Sequence, residues 1–300
     1  LVGDLANMEA SFIFKEFLER TIDTKNYESR IINNFIDSTV RENYLFNSTI
    51  NGIEESDLIL LIGTNPRFEA TMVNARIRKA HLNKNPKIIS LNDVGDLTYP
   101  YQNLDGKTQT IKDIAENKND ISKLIINSKK PIIIFGESFF KIKSAKYLFS
   151  SFKEFLSNNN KLTDDWNPIN VLSVDAATVG SLDLDLIDES NKLFDDLNEN
   201  KFEIVYLLGQ DNLDFKKKNE FVIYQGSHGD KGAEIADIIL PGAAFTEQSG
   251  HYTNLEGKIQ KAYKASYPPG DAKEDWQIIN DLAEVINNRK LFNDKEELES

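Results

Sequence analysis

Cysteine is absent from the 300 residues, and histidine occurs only 3 times. The first absence excludes disulfides, thiolate zinc sites and cysteine-ligated iron–sulfur clusters within these residues. It is compatible with a reducing compartment. The histidines, His81, His228 and His251, form no His-x-x-His or His-Glu-x-x-His pair. No apolar run approaches the ~20 residues of a membrane-spanning helix, so any membrane association is expected to run through partners. Positive charge is in deficit, with 35 Lys and Arg against 48 Asp and Glu and a net charge of -13. That balance argues against a nucleic-acid binder and against direct docking on anionic lipid. No G-x-G-x-x-G fingerprint, P-loop or G-x-S-x-G nucleophile motif occurs. The chain starts at Leu1 with no targeting pattern, and is expected to be a fragment, a processed product or the C-terminal part of something larger.

What is present is a globular composition, 40% hydrophobic and 28% charged, with length enough for two domains or one large α/β unit. Short apolar runs bounded by turn signals predict buried parallel strands at 57–63, 87–91, 131–136, 169–174, 203–209, 221–226 and 237–241. Between them, helical spacing covers 7–18, 27–35, 66–81, 111–126, 139–156, 190–197 and 271–287. Asn65 and Pro66 are a cap and a first-turn residue for the third of these. Residues 92–110 read as a long polar connection, and the acidic end, 291–300, as a frayed tail. The β/α alternation predicts α/β architecture with doubly wound, mostly parallel sheets. A first unit at 1–118 and a second at 119–290 are expected, with interleaving of the two as the alternative.

The candidate binding edge is 221–257, where two short strands end in Gly-containing loops; in open α/β sheets, ligands bind at the carboxyl ends of strands. Its polar residues are Gln225, Gly226, Ser227, His228, Asp230, Glu247, Asn254 and Glu256. For a metal, His228 and His251 could share one edge, with Asp230, Glu234 and Glu247 as oxygens; hydrogen-bonded loop histidines are the expectation, and no metal site. The turns Gly63-Thr64-Asn65-Pro66-Arg67 and Gly136-Glu137-Ser138 lack a pyrophosphate fingerprint, so Arg67 is expected in an ion pair rather than on a nucleotide. The pairs Glu54-Glu55 and Asp164-Asp165 read as solvated faces. No carboxylate is tied by sequence to a nucleophile, and no catalytic residue is assigned.

The segment ADIILPGAAFTEQSGHYTNLEGKIQ resembles a characteristic stretch of molybdopterin-dependent oxidoreductases. Asn43-Tyr44-Leu45, DLILLIGTNPRFEATMVNARIR, Asp96-Leu97-Thr98-Tyr99, Tyr224-Gln225-Gly226 and Glu274-Asp275-Trp276 resemble, in the same order, one branch related to that family. Within that family the chain is most similar to the branch of large iron–sulfur subunits of respiratory NADH:quinone oxidoreductase, thought to have lost the pterin. The resemblance implies a molybdopterin-oxidoreductase-like fold without the N-terminal iron–sulfur domain. It implies a scaffolding part of the peripheral arm, with no cofactor in this chain and FMN and clusters elsewhere in the complex. The partners implied are other peripheral-arm subunits and the cluster-bearing portion of the same subunit. The location implied is the matrix side of the mitochondrial inner membrane, or the cytoplasmic side of a bacterial one. Gln225, Gly226, His228, Asp230, Glu247 and Asn254 would then be a vestigial pterin edge. The alternative is an active molybdopterin enzyme using the 225–257 loops, in which an open pocket lined by hydrogen-bond donors is expected.

Overall fold

The computed structural model describes residues 1–30, 34–188, 190, 192–213 and 216–300. They form two compact units, one of Leu1–Ile32, Asp175–Asn254 and Lys258–Ser300, the other of Asn33–Val174 with Leu255–Gly257. Among the described residues no helix is long and apolar enough to cross a membrane.

The chain opens in the first unit with α1 (Met8–Arg20), capped by Asn7, whose Oδ1 accepts from the Ala10 amide at 2.9 Å. It then builds the second unit. That unit contains β1 (Leu58–Ile62), α2 (Pro66–Glu69), α3 (Thr71–Lys84), β2 (Lys87–Leu91), β3 (Gln102–Leu104), α4 (Thr108–Ala115) and α5 (Asp120–Asn127). It closes with β4 (Pro131–Gly136), α6 (Glu137–Phe140), α7 (Ala145–Asn158) and β5 (Ile169–Leu172). The five strands are parallel in the order β3-β2-β1-β4-β5. Every residue of β1 and β4 is buried, as parallel strands covered on both faces require. Ile59, Leu61, Ile132 and Ile134 share a core with Val73, Ile77 and Ala80 of α3. The alternate residue Phe135 packs on Phe139, Phe149 and Phe152, with ring centroids 4.8, 5.1 and 5.6 Å away.

Returning to the first unit, the chain forms α8 (Thr178–Asp183), α9 (Leu193–Asn198), β6 (Ile204–Leu208), β7 (Phe221–Gly226), α10 (Lys231–Ile235) and β8 (Ile238–Pro241). The hairpin β9 (Gly250–Thr253) and β10 (Ile259–Ala262), then α11 (Asp275–Asn287) and α12 (Lys295–Glu299), complete it. Strands β6, β7 and β8 are parallel in that order, while β9 and β10 are antiparallel. Phe14 and Phe17 of α1, Ile279 and Ala283 of α11 and Leu298 of α12 share one core.

Several expectations are corrected. The division at 118/119 falls inside one unit, because β1 and β4, on either side of it, are hydrogen-bonded neighbours. Three expected single helices are pairs. The break at Ala70 has φ -152° and ψ 76°, Asn117 sits in the left-handed region at φ 58°, and residues 141–144 separate α6 from α7. Residues 27–30 and 34–35 are not helical, and 31–33 of that expected segment lie outside the described residues. Of the expected helix at 190–197, residue 191 lies outside them too, and the observed helix is α9. The 237–241 strand is not buried: Ile238 and Ile239 of β8 are 47% and 53% exposed, on the open edge of a three-stranded sheet. The tail is not frayed either. Asp294 caps α12, Leu298 is buried, and Asn280 holds the Leu291 amide at 2.8 Å.

Candidate functional site

At the carboxyl end of β7 the chain turns its polar groups onto itself. Gln225 is fully buried. Its Nε2 donates to Asp275 Oδ1 at 2.8 Å and to the Asp275 carbonyl at 3.1 Å, and its Oε1 accepts from the Tyr206 hydroxyl at 2.5 Å. Gln248, also buried, approaches the same carboxyl from the loop after β8, with Nε2 donating to Asp275 Oδ2 at 2.7 Å and to the Ala243 carbonyl at 3.1 Å. Asp275 opens α11, so a buried carboxyl is held between two glutamine amides, one from the end of β7 and one from the loop after β8. Sequence reasoning reaches Asp275 only within a resemblance and passes over Gln248, because nothing local links three residues so far apart in the chain.

Burial pushes the Asp275 carboxyl above the usual range, and the Gln248 and Gln225 donors pull it part of the way back. A carboxyl whose pKa is higher folded than unfolded keeps its proton longer in the native state. Its stabilisation is full below the unfolded value of about 3.9 and is lost as pH rises through the folded value. The unfolding free energy of the wild type minus that of Asp275→Asn is therefore expected to fall as pH climbs from about 4. Urea titrations across a pH series would check this, and a flat difference would refute it.

Close approach explains three glycines here. A Cβ on Gly226 would strike the Tyr224 hydroxyl, one on Gly232 would lie 2.6 Å from Cδ2 of the same ring, and one on Gly242 would lie 2.7 Å from Asp275 Oδ1. The space opened by the missing side chains is filled by Tyr224 and Asp275. Tyr224 in turn donates to Asp211 Oδ2 at 2.9 Å and to the His228 carbonyl at 3.2 Å, and Asp211 Oδ1 accepts from the Gly232 amide at 3.1 Å.

The other expected residues disperse. Ser227 Oγ and His228 Nδ1 are 2.8 Å apart and exposed, and Asp230 is exposed at the start of α10 without a side-chain capping bond. Glu247 accepts from the Ala244 amide at 3.0 Å and so closes its own loop. Asn254 closes the β9–β10 turn through the Lys258 amide at 3.0 Å. Glu256 accepts from the Ile50 amide at 2.8 Å in the second unit. Glu234 is exposed on α10. His228 and His251 do not share a loop edge: His251 lies within β9, and its ring meets Glu9. An apolar cavity of about 380 Å³ in the first unit, lined by Phe14, Phe17, Leu18, Phe202, Ile223 and Leu282 among others, includes none of these edge residues.

In the second unit the strand order puts a topological switch between β1 and β4, where a nucleotide would enter. The chain fills that crevice. A Cβ on Gly63, after β1, would lie 2.5 Å from the Phe139 amide nitrogen, and one on Gly136, ending β4, would strike Thr64. Arg67 forms an ion pair with Asp96 at 2.7 Å and donates to the Asp96 carbonyl at 2.6 Å. Glu54 pairs with Arg76 and with Lys79, so that acid is more than a solvated charge.

The sequence of residues 1–285 matches the family described as molybdopterin oxidoreductase. The chain belongs to that family. Its parallel sheets agree with the expected α/β class. It is 37% identical over 99% of its length to a protein of Reclinomonas americana named NADH-ubiquinone oxidoreductase 75 kDa subunit, covering 45% of that relative. A Candida albicans mitochondrial 78 kDa subunit of the same oxidoreductase is 41% identical over 85% of this family member and 35% of its own length. A Rickettsia bellii protein, named as a subunit of NADH-quinone oxidoreductase, is 39% identical over 99% of the chain and 43% of its own length. The chain thus spans less than half the length of these curated relatives.

Proposed function

We propose that this chain is the non-catalytic, structural portion of the large iron–sulfur subunit in the peripheral arm of respiratory NADH:ubiquinone oxidoreductase. On this reading it holds no cofactor. FMN and the iron–sulfur clusters belong elsewhere in the complex, and the partners are the cluster-bearing portion of the same subunit and neighbouring peripheral-arm subunits. The observation that carries the reading is similarity, along 99% of the chain, to proteins named as subunits of NADH-ubiquinone or NADH-quinone oxidoreductase. The candidate edge supports it. A cofactor cradle presents glycines and donors to the ligand, whereas here the glycine spaces hold Tyr224 and Asp275, and the amides of Gln225 and Gln248 are spent on Asp275. These residues do not fit a pterin, and no chemical step is assigned to them. A scaffold contributes by distance, since electron transfer between clusters falls steeply as they separate.

On this reading the chain lies on the matrix side of the mitochondrial inner membrane, or on the cytoplasmic side of a bacterial one; the relatives named as mitochondrial and those from bacteria support the respiratory complex itself. The test is cofactor analysis of the native particle after gentle extraction and sizing. A very large assembly with FMN, iron and labile sulfide, and without molybdenum, tungsten or pterin, is expected. A small particle with stoichiometric pterin and metal would overturn the reading and return the 225–257 loops to an active site.

A further inference from the structure

Outside the edge just described, three metal-ligating side chains from distant parts of the chain meet within the first unit. Glu9 lies in the first turn of α1, His251 in β9 and Glu299 at the end of α12, and their candidate ligand atoms all lie within 4.8 Å of one another. We propose that Glu9, His251 and Glu299 form a binding site for one divalent cation of the zinc class.

The donor set carries the proposal. One imidazole nitrogen and two carboxylate oxygens suit a borderline cation and leave a further position for water. The two carboxylates supply two negative charges, which one such ion neutralises. Glu9 is only 5% exposed, and a carboxylate so far out of water needs a cationic or hydrogen-bonding partner. His251 provides it: the backbone amide donates to Glu9 Oε2 at 2.8 Å, and Nδ1 lies 2.5 Å from Oε1. Glu299 is paired with Lys261 at 2.8 Å, and Lys261 stands opposite His251 in the β9–β10 register. A cation, the Lys261 ammonium, thus already sits beside the third ligand. Ligands of a tetrahedral ion are roughly 3.3 Å apart, so binding draws Glu299 inward and releases Lys261. Such an ion would clip α12 to α1 and the hairpin.

The test is calorimetric titration of the full chain with Zn2+ after chelator treatment, with zinc K-edge absorption spectroscopy on the loaded protein. A single saturable site with one imidazole and oxygen ligands is expected. His251→Gln, which keeps a hydrogen bond to Glu9, should weaken binding roughly tenfold or more, and so should Glu299→Gln. Lys261→Met should tighten binding, because it removes the competing cation. An ion pair serving only structure would not give that increase. Should His251→Gln fail to fold, the partly exposed Glu299 and Lys261 variants give the same readout. Absence of a saturable site, or affinity unchanged in Glu299→Gln and Lys261→Met, would overturn the proposal.

Discussion

Replacing Glu28 with alanine is expected to destabilise the first unit by about 3–5 kcal/mol. Glu28 and Arg30 are 2% and 7% exposed. They form a two-point ion pair, with Arg30 Nε donating to Glu28 Oε1 at 2.9 Å and Nη2 to Oε2 at 2.7 Å. The carboxylate also accepts from the amides of Ser29, Arg30 and Asp188 at 3.0, 2.8 and 3.1 Å, so it joins two remote stretches of chain. Alanine would strand the guanidinium in the interior, facing the Asp188 carbonyl 2.8 Å from Nη2. Burying a charge without its partner costs far more than the intact pair contributes. The double variant Glu28→Leu with Arg30→Met should therefore recover part of the loss in urea unfolding followed by circular dichroism. If it is no more stable than Glu28→Ala alone, the stranded charge is not the cause.

The second large effect is expected at Gly63. Its φ is 63°, and a Cβ there would sit 2.5 Å from a backbone nitrogen that cannot move without shifting α6. Gly63→Ala combines a left-handed backbone penalty of about 1–2 kcal/mol with overpacking of about 1–3 kcal/mol. Gly95 separates the two. Its φ is 71°, but nothing lies within 4 Å of a Cβ there. Gly95→Ala should thus lose only about 1–2 kcal/mol. Equal losses at the two positions would show that the close approach between the turns after β1 and β4 has no energetic weight.

The core strands were legible because their signal is local. Residues 58–62 and 131–136 are unbroken apolar runs, as burial on both sheet faces demands. Strand β3 reads Gln-Asn-Leu on a sheet edge, and β10 reads Ile-Gln-Lys-Ala with its first three residues exposed, so neither has an apolar run to recognise. Strand β8 misled in the other direction. Its Ile-Ile-Leu run looks like a core strand, yet it lies at an edge where no neighbouring strand is hydrogen-bonded beyond it among the described residues. The helix break at Ala70 carries no glycine or proline within the break itself. At the candidate edge, the loops after β7 and β8 were placed correctly from their glycines. What the glycines make room for was not legible, because Tyr224 and Asp275 enter by tertiary packing. The meeting of Glu9, His251 and Glu299 depends on long-range chain closure in the same way.

The order in which the units appear along the chain bears on synthesis. The second unit's sheet strands lie between 58 and 172, so its sheet can assemble once β5 has left the ribosome, with only Leu255–Gly257 of the unit still to come. The first unit must wait. Helix α1 is made before any of those strands but packs on α11 and α12, which emerge after all of them. Until then the apolar face bearing Ile13, Phe14 and Phe17 lacks Ile279, Ala283 and Leu298 from its core. Contacts so remote in sequence pay a loop-closure cost and form slowly. A ribosome stalled once β5 has cleared its exit would therefore carry one assembled sheet and one amphipathic helix without α11 and α12, the kind of segment a chaperone captures.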